Sequence, residues 1–290
     1  MKANKLSVGG QAVIEGVMMR GSSSWAVAVR KPDGEIAVKQ EKLKSHKYFV
    51  LKWPLIRGVV VLIQSLIIGF KALSYSADLS AGKEEQKISS TQMTLTFVVA
   101  FVFAFGLFFA LPYFITHFSK GLVKSHFLFS GFEGIMRLSI FLVYLFAISS
   151  MKDIRRVFQY HGAEHKVVNN FDSGLDVNLE NASKFSTRHY MCGTSFLLVV
   201  MAIAILAFSF LPTTSFFLRM IGKILAAPLI AGISYELIRL AGKRKLKIVR
   251  IIMQPGLWLQ KITTKEPTDD QIEVAMVALN AVLRPGVKNA

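Results

Sequence analysis

The sequence predicts a polytopic α-helical membrane protein with about four spans, a re-entrant or interfacial helix and a small α+β cytosolic domain. Only 18% of the 290 residues are charged and 52% are hydrophobic, whereas soluble domains have about 25% charged residues. Segments 88–116 and 190–218 contain no charged residue, and each exceeds the roughly 20 residues of helix that cross a bilayer. The single cysteine excludes an internal disulfide framework.

Four spans are predicted, at 92–116, 130–151, 194–212 and 217–240. Segment 54–79 has an uncharged run that is too short to span alone, so we expect a re-entrant or interfacial helix there. In this arrangement 30 of the 35 Lys and Arg residues lie on one side of the membrane and four on the other. The positive-inside rule then places both termini in the cytosol.

The distribution of Lys and Arg also indicates which kind of partner the protein binds. Juxtamembrane Lys and Arg residues explain most of the formal net charge of +17 without nucleic acid, and no groove-reading or base-stacking motif is present. We therefore expect the lipid bilayer to be the partner and expect no nucleic acid, and the sequence is compatible with a homo-oligomer.

The units predicted along the chain are a β unit at 1–52, the re-entrant or interfacial helix at 53–79, a first pair of spans at 88–151, a cytosolic His/Glu helix and loop at 152–189, a second pair of spans at 190–241, and a basic segment with an amphipathic helix at 242–290.

The N-terminal unit reads as β structure. Trp25, Val27 and Val29 alternate along one strand, and Pro32 and Gly34 mark the turn to a returning strand. The preceding segment, 9–21, is rich in glycine, which predicts bulges or close approach of the backbone. A phosphate-binding loop is the alternative for this segment, but the Lys-Ser/Thr ending of such loops is missing.

The C-terminal segment predicts a short amphipathic helix. Thr268 and Gln271 have the spacing of a capping box. Apolar residues at 272, 276, 279 and 283 then recur on one face. We expect this helix to pack on the cytosolic domain.

Segment 152–172 carries the residues that suggest chemistry. At about 100° per residue, His161, Glu164, His165 and Asp172 fall on the same helical face as the apolar residues that precede them. Burying such groups costs several kcal/mol unless they pair with one another or hold a metal. This face therefore predicts a metal site, a hydrogen-bonded structural network or a proton relay.

The residues at 161–165 form a His-x-x-Glu-His pattern. Two imidazoles at positions i and i+4 can bind one Zn²⁺, and the adjacent Glu164 can act on water as a general base. His189 and Cys192, just before the third span, can supply further ligands. All four ligands would close a structural site, whereas three and a water would make a catalytic one.

Several blocks in the same order make the chain resemble the YqhQ-like family of bacterial membrane proteins, described as a domain of unknown function and as predicted metal-dependent enzymes. The blocks lie at 9–21, 53–58, 160–166, 192–196, 255–260, 263–267 and 273–275. The resemblance implies a bacterial inner-membrane protein with a metal at the block of His161, Glu164 and His165. It implies no particular reaction.

A metal-dependent hydrolase with its site at the cytosolic membrane surface is the expected function, with no substrate indicated. Zinc or another divalent metal would be held by His161 and His165 with His189 or Cys192, and Glu164 would activate water. Asp172 would orient a ligand, and Glu15 would support the site. The alternatives are a transporter or channel, since Glu133 and Glu236 lie within predicted spans, and a noncatalytic membrane scaffold.

Overall fold

The structure is a computed structural model, and it describes residues 8–43, 53–81, 89–118, 125–210, 215–243 and 247–284. Residues 1–7 and 44–52 of the predicted β unit lie outside the described residues. The N-terminal part is a four-stranded antiparallel sheet in chain order. Its strands are β1 Gly9–Val13, β2 Gly16–Arg20, β3 Ser24–Arg30 and β4 Ile36–Lys42.

The rest of the described chain is mainly helical. The helices are α1 Ile56–Ser80, α2 Ser90–Phe105, α3 Leu111–His117, α4 His126–Ser149, α5 Lys152–Ser173, α6 Leu179–Ser183, α7 Gly193–Ser209, α8 Phe216–Lys243, α9 Lys247–Thr263 and α10 Asp269–Leu283. A π-helical turn, Gly106–Ala110, joins α2 to α3 without a break. The structure confirms a mostly helical chain with a small N-terminal sheet.

The predicted hairpin and capping box are both present. Strands β3 and β4 pair from Ser24 with Lys42 to Arg30 with Ile36. Gly34 in the turn adopts φ +89°, a left-handed conformation that glycine takes without steric cost. Thr268 and Gln271 cap α10 reciprocally, as the spacing predicts.

Helices cover both faces of the sheet. Because side chains alternate along a strand, Val17 and Met19 of β2 face α5 and α10, while Met18 faces α1. The first face includes Tyr160 and Leu279, both buried. Helix α5 is thereby fixed between the sheet, α10 and the end of α4.

Among the described residues, four helices are long and apolar enough to cross a membrane: Ile56–Ser80, Thr91–His117, Phe127–Ser149 and Met220–Leu240. This set differs from the expected one. Segment 54–79, expected to be re-entrant or interfacial, forms one helix of 25 residues with a span-like hydropathy. Helix α7, predicted as a span at 194–212, has 17 described residues, and residues 211–214 lie outside the described part.

The difference at α1 has a simple origin. The charge at Lys71 limits the uncharged run, but its ammonium lies at the exposed helix surface, 2.9 Å from the carboxylate of Glu41. It therefore does not end the helix. The second half of α1 also packs on the sheet, where Ile68 and Ala72 are buried against Trp25 and Val27.

Gly162 allows α5 to approach the segment that links α9 to α10. A Cβ at Gly162 would lie 2.1 Å from the carbonyl oxygen of Lys265. The amide of Lys265 donates to the carbonyl of Phe158 at 2.9 Å, so this contact cannot open freely. The glycine weakens the helix by itself, but it lets the backbone close over the candidate site.

We expect Gly162→Ala to destabilise the protein by about 1–3 kcal/mol, because overpacking forces the backbone apart. Gly131→Ala in α4 is the matched control, since a Cβ there meets nothing within 4 Å. Thermal unfolding in detergent should show a lower midpoint for the first variant and no loss for the second. Equal midpoints for the two variants would contradict the close approach.

Candidate metal centre

Helix α5 carries most of the candidate metal centre, namely His161, Glu164 and His165, and the start of α7 adds Cys192. The first half of α5 follows α4 directly and presents charged residues outward, whereas its second half is enclosed by the sheet, α10 and the loop before α7. Glu164 is 4% exposed and His165 is 1% exposed. The predicted face of α5 is therefore buried at Glu164 and His165, whereas Asp172 near the C-terminal end of the helix is exposed.

Three of the predicted ligands come together. One ligand atom from each of His161, His165 and Cys192 lies within 4.8 Å of the other two. Nε2 of His161 is 3.2 Å from Sγ of Cys192, and the two imidazole centroids are 4.4 Å apart. The i, i+4 spacing brings the imidazoles together, and the N-terminus of α7 brings the thiol to them. These three side chains can hold a divalent cation.

Backbone carbonyls orient both imidazoles. Nδ1 of His161 is 2.8 Å from the carbonyl oxygen of Thr263, and Nδ1 of His165 is 2.6 Å from that of Thr187. A carbonyl oxygen only accepts, so we assign the proton of each ring to Nδ1. Nε2 of each ring then keeps a lone pair, which is how metal-binding histidines are usually prepared.

Cys192 is the N-cap of α7. Its sulfur accepts from the amide of Thr194 at 3.5 Å and lies 3.2 Å from the Thr194 hydroxyl. Burial raises the pKa of Cys192 to about 11, although the hydrogen bonds from Thr194 oppose the shift. Without a metal the thiol is therefore protonated at neutral pH.

Glu164 lies beside the three candidate ligands. Its Oε2 is 3.5 Å from Nε2 of His165. Burial raises the pKa of the Glu164 carboxyl, and the nearby imidazoles and a hydrogen bond from the amide of Gly10 oppose that shift. A carboxyl group with a raised pKa is suited to exchange protons near neutral pH.

Gly10 explains the predicted close approach in the glycine-rich segment. A Cβ at this position would lie 2.8 Å from Cγ of Glu164 and 2.7 Å from the carbonyl oxygen of Met18. Only glycine lets β1 pass so close to the carboxylate. Segment 9–21 therefore forms two strands whose edge closes over the centre.

His189 and Asp172 form a neighbouring pair. Nε2 of His189 is 3.4 Å from Oδ2 of Asp172, and its ring centroid is 5.9 Å from that of His165. Gln260, fully buried, accepts from the His189 amide and donates to its carbonyl, both at 2.9 Å. His189 thus lies next to the group of three ligands, with Nε2 of its ring facing Asp172.

Glu15 lies elsewhere. Its carboxylate forms an ion pair with Arg156 and accepts from the hydroxyl of Tyr160 at 3.2 Å. It has φ +51° in the turn between β1 and β2. The structure thus gives Glu15 a contact between the sheet and α5, and Glu15 does not line the cavity at the centre.

A cavity of about 780 Å³ opens at the centre. The cavity is lined by His161, Glu164, His165 and Cys192, and by the strand edge around Gly10. Three apolar helices complete the wall with Val61 and Ser65 of α1, Leu197 of α7 and Tyr235 of α8. The candidate ligands are therefore reachable from a space that lies between the sheet and the apolar helices.

Comparison with known proteins defines the class. Residues 53–285 match the family described as "Protein of unknown function (DUF1385)", and the chain belongs to that family. It is 35% identical over 292 residues, covering 95% of this chain and 92% of the other, to the protein from Bacillus subtilis (strain 168) described as "Uncharacterized protein YqhQ". The predicted YqhQ-like membership is confirmed. No solved structure gives a significant match.

Sequence reasoning missed several residues that shape the centre. Thr187 and Thr263 act through backbone carbonyls, which leave no mark on residue type. Gln260 and Gly10 lie in blocks that carried the family resemblance, but only the packing reveals that they hold His189 and Glu164. A search for polar residues within otherwise apolar helix faces would have singled out Gln260.

Proposed function

We propose that this protein is a membrane-embedded metal-dependent hydrolase whose centre lies at the cytosolic membrane surface. The observation that carries the proposal is a pair of imidazoles whose Nδ1 atoms lie 2.8 and 2.6 Å from backbone carbonyls, beside a buried thiol and a buried carboxyl group. We assign the ring proton to Nδ1 in both, which leaves each Nε2 with a lone pair. A purely structural network needs no such matching tautomers. Three protein ligands are also the number that catalytic zinc sites typically use.

In this proposal His161, His165 and Cys192 hold zinc or another divalent metal. When bound, such a metal supplies Lewis-acid polarisation and lowers the pKa of water. The carbonyls of Thr263 and Thr187 keep the imidazoles in place. His189, held by Asp172 and Gln260, limits how far the His165 ring can move.

Glu164 is proposed as the general base. Water attacks the carbonyl carbon or phosphorus of the substrate and gives up a proton to Oε of Glu164. The bond to the leaving group then breaks, and the leaving group takes the proton back from Glu164. The carboxyl group thus ends the cycle ionised, as it began.

The placement of the helices in the membrane is also a proposal. The packing of Ile68 and Ala72 on the sheet favours an interfacial α1 over a span, because a span would carry part of the sheet into the bilayer. Four crossings, by α2–α3, α4, α7 and α8, then leave both termini in the cytosol, as the distribution of Lys and Arg favours. The inner membrane, the lipid partner and a homo-oligomer stay predictions.

Hydrolysis can be tested without a known substrate. The full chain, purified with zinc, is incubated with bacterial membrane lipid extract in heavy-oxygen water, and the products are read by mass spectrometry. We expect heavy oxygen in a released fatty acid or phosphate, and none after treatment with a chelator. Incorporation that survives complete metal removal would contradict the proposal.

Metal affinity should depend on pH. Binding requires the thiolate of Cys192, and the thiol is protonated below its pKa of about 11. One proton is therefore released for each metal bound, and affinity should rise about tenfold for each unit of pH between 6.5 and 8. Burial lowers the pKa of His165 well below its ordinary value, so that ring adds no proton in this range.

Competition titrations with a zinc chelator measure this slope. Cys192→Ser should bind zinc more weakly and lose most of the pH dependence. A slope equal in the wild type and in Cys192→Ser would show that the thiol is not a ligand.

Transport is the second candidate function, and one observation favours it. Glu133 of α4 and Lys223 of α8 form a buried ion pair among apolar helices, and Arg137 donates to Glu133 at 2.6 Å. Intramembrane charges often mark ion pathways. Chloride flux in proteoliposomes, compared at equal amounts of folded protein, would support transport over hydrolysis if it is lost in Glu133→Gln and kept in Glu164→Gln.

A noncatalytic scaffold is the third candidate, and it predicts full cellular function with Glu164→Gln. Glu236 is the other acidic residue noted above within a predicted span. Glu236 lies 2.6 Å from Nε of Arg57 in α1 and only within 4.0 Å of Arg239. This pair joins α1 to α8 rather than lying alone on one helix face.

A further inference from the structure

Arg20 lies at the wall of the cavity, and the side chains that accept hydrogen bonds from its guanidinium are neutral. It ends β2, and its guanidinium donates to the hydroxyl of Ser65 at 2.8 Å and to the side-chain oxygen of Gln64 at 2.9 Å. Within the described part of the chain, no carboxylate lies within 4.0 Å of it. Burial lowers the pKa of Arg20, which reflects the cost of holding this charge away from water.

Three other arginines of the chain each have the carboxylate partner that Arg20 lacks among the described residues. Arg30 pairs with Glu273, Arg57 with Glu236 and Arg156 with Glu15. A half-buried arginine without a counter-charge is costly unless an anion joins it. Its guanidinium has five N–H donors, of which the contacts with Ser65 and Gln64 use two.

The rest of the cavity wall is mainly apolar. Val61, Leu197 and Met191 line it together with Tyr235. Glu164, which lines the cavity together with the imidazoles, is the single acidic residue among the lining residues that the structure describes. One cation, an apolar wall and the candidate metal centre therefore share one space.

We propose that the cavity takes an anionic amphiphile, with Arg20 binding its phosphate or carboxylate head and the wall formed by α1 and α7 contacting its apolar chain. This inference rests on the proposed function, which makes the cavity the substrate site. We infer a lipid-like occupant, because three apolar helices border the cavity. The planar guanidinium can bind either a phosphate or a carboxylate through two parallel hydrogen bonds.

Binding can be measured on the full chain in a neutral detergent without any turnover. The probes are dioctanoyl phosphatidic acid, dioctanoylglycerol with the same chains and no anion, and inorganic phosphate. We expect the wild type to bind phosphatidic acid at least about tenfold more tightly than diacylglycerol, because hydrogen bonds to a charged group carry that much free energy. Inorganic phosphate should bind more weakly than phosphatidic acid.

Variants at Arg20 assign the preference to its side chain. Arg20→Gln should reduce the preference to about onefold, and Arg20→Lys should keep part of it, because the charge stays and the two-donor geometry is lost. Arg188→Gln removes the same charge from an exposed position and should keep the full preference. Arg20→Lys also serves if Arg20→Gln lowers the melting temperature.

Several results would overturn the inference. These are equal binding of the two lipids by the wild type, a preference that survives Arg20→Gln, inorganic phosphate binding as tightly as phosphatidic acid, or a soluble acidic peptide competing as well as the lipid. The measurement is made with and without zinc, so that the two proposals fail separately. If the protein binds no metal but prefers phosphatidic acid, the hydrolase proposal is wrong and the anion site is supported. If it binds metal but shows no head-group preference, the anion site is wrong and the hydrolase proposal stands.

Discussion

Replacing Glu164 with Gln is expected to reduce hydrolysis at least about a hundredfold and to leave the metal bound. General acid–base catalysis contributes about a hundred- to ten-thousandfold to rate, and an amide cannot accept the proton of water. The variant keeps the shape of the side chain and an acceptor oxygen for the amide of Gly10. The measurement is the initial rate of heavy-oxygen incorporation at equal metal content.

Glu180→Gln is the matched control, because that carboxylate is 82% exposed and pairs only with Lys184 among its described contacts. It should hydrolyse at the wild-type rate. An unchanged rate in Glu164→Gln would remove the general base from the proposal. Loss of metal from Glu164→Gln would instead make the carboxylate a ligand.

The second large effect concerns stability. Glu133 is 2% exposed, and Arg137 and Lys223 approach one of its oxygens. Arg137 also donates from Nε to the carbonyl oxygen of Phe108, 2.8 Å away in the π-helical turn. This network, which we call the Glu133 triad, joins α4, α8 and the turn between α2 and α3.

We expect Glu133→Gln to lower the free energy of unfolding by about 3–5 kcal/mol, since removing one partner leaves buried charges without compensation. Thermal unfolding in detergent, followed by the loss of helical circular dichroism, measures the change. The double variant Glu133→Gln, Lys223→Met should recover part of the loss, because it removes a buried cation as well.

The control for the Glu133 triad is Glu35→Gln, whose carboxylate is 72% exposed in its pair with Lys31. Exposed pairs are worth about 0–1 kcal/mol, so its unfolding should be nearly unchanged. A Glu133→Gln protein that melts with the wild type would show that the triad does not hold the helices together.

Local patterns in the sequence predicted much of what surrounds the centre. The 3.6-residue period placed His161, Glu164 and His165 on one face of α5, and burial of Glu164 and His165 agrees with it. The turn at Gly34 and the cap at Thr268 were also predictable, because turn and cap residues act over a few positions. These features depend on neighbours in the chain, which is why the sequence reveals them.

Features that depend on distant parts of the chain were harder to predict. The carbonyls of Thr187 and Thr263 orient the imidazoles through backbone atoms, and any residue type can supply a carbonyl. Glu15 was assigned to the site, yet its partner Arg156 lies 141 positions away. Lys71 limits the uncharged run in segment 54–79, yet α1 continues through it to Ser80, because a lysine at an exposed position does not end a helix.

The metal centre is tested most directly by elemental analysis of the purified full chain after incubation with zinc and removal of the excess. The wild type should carry about one metal per chain, since its three ligand side chains converge on one position. His161→Ala should carry less than about a tenth of that amount, whereas His117→Ala, an exposed histidine outside the centre, should equal the wild type. A wild-type protein without metal, or equal metal in the wild type and His161→Ala, would contradict the proposed centre.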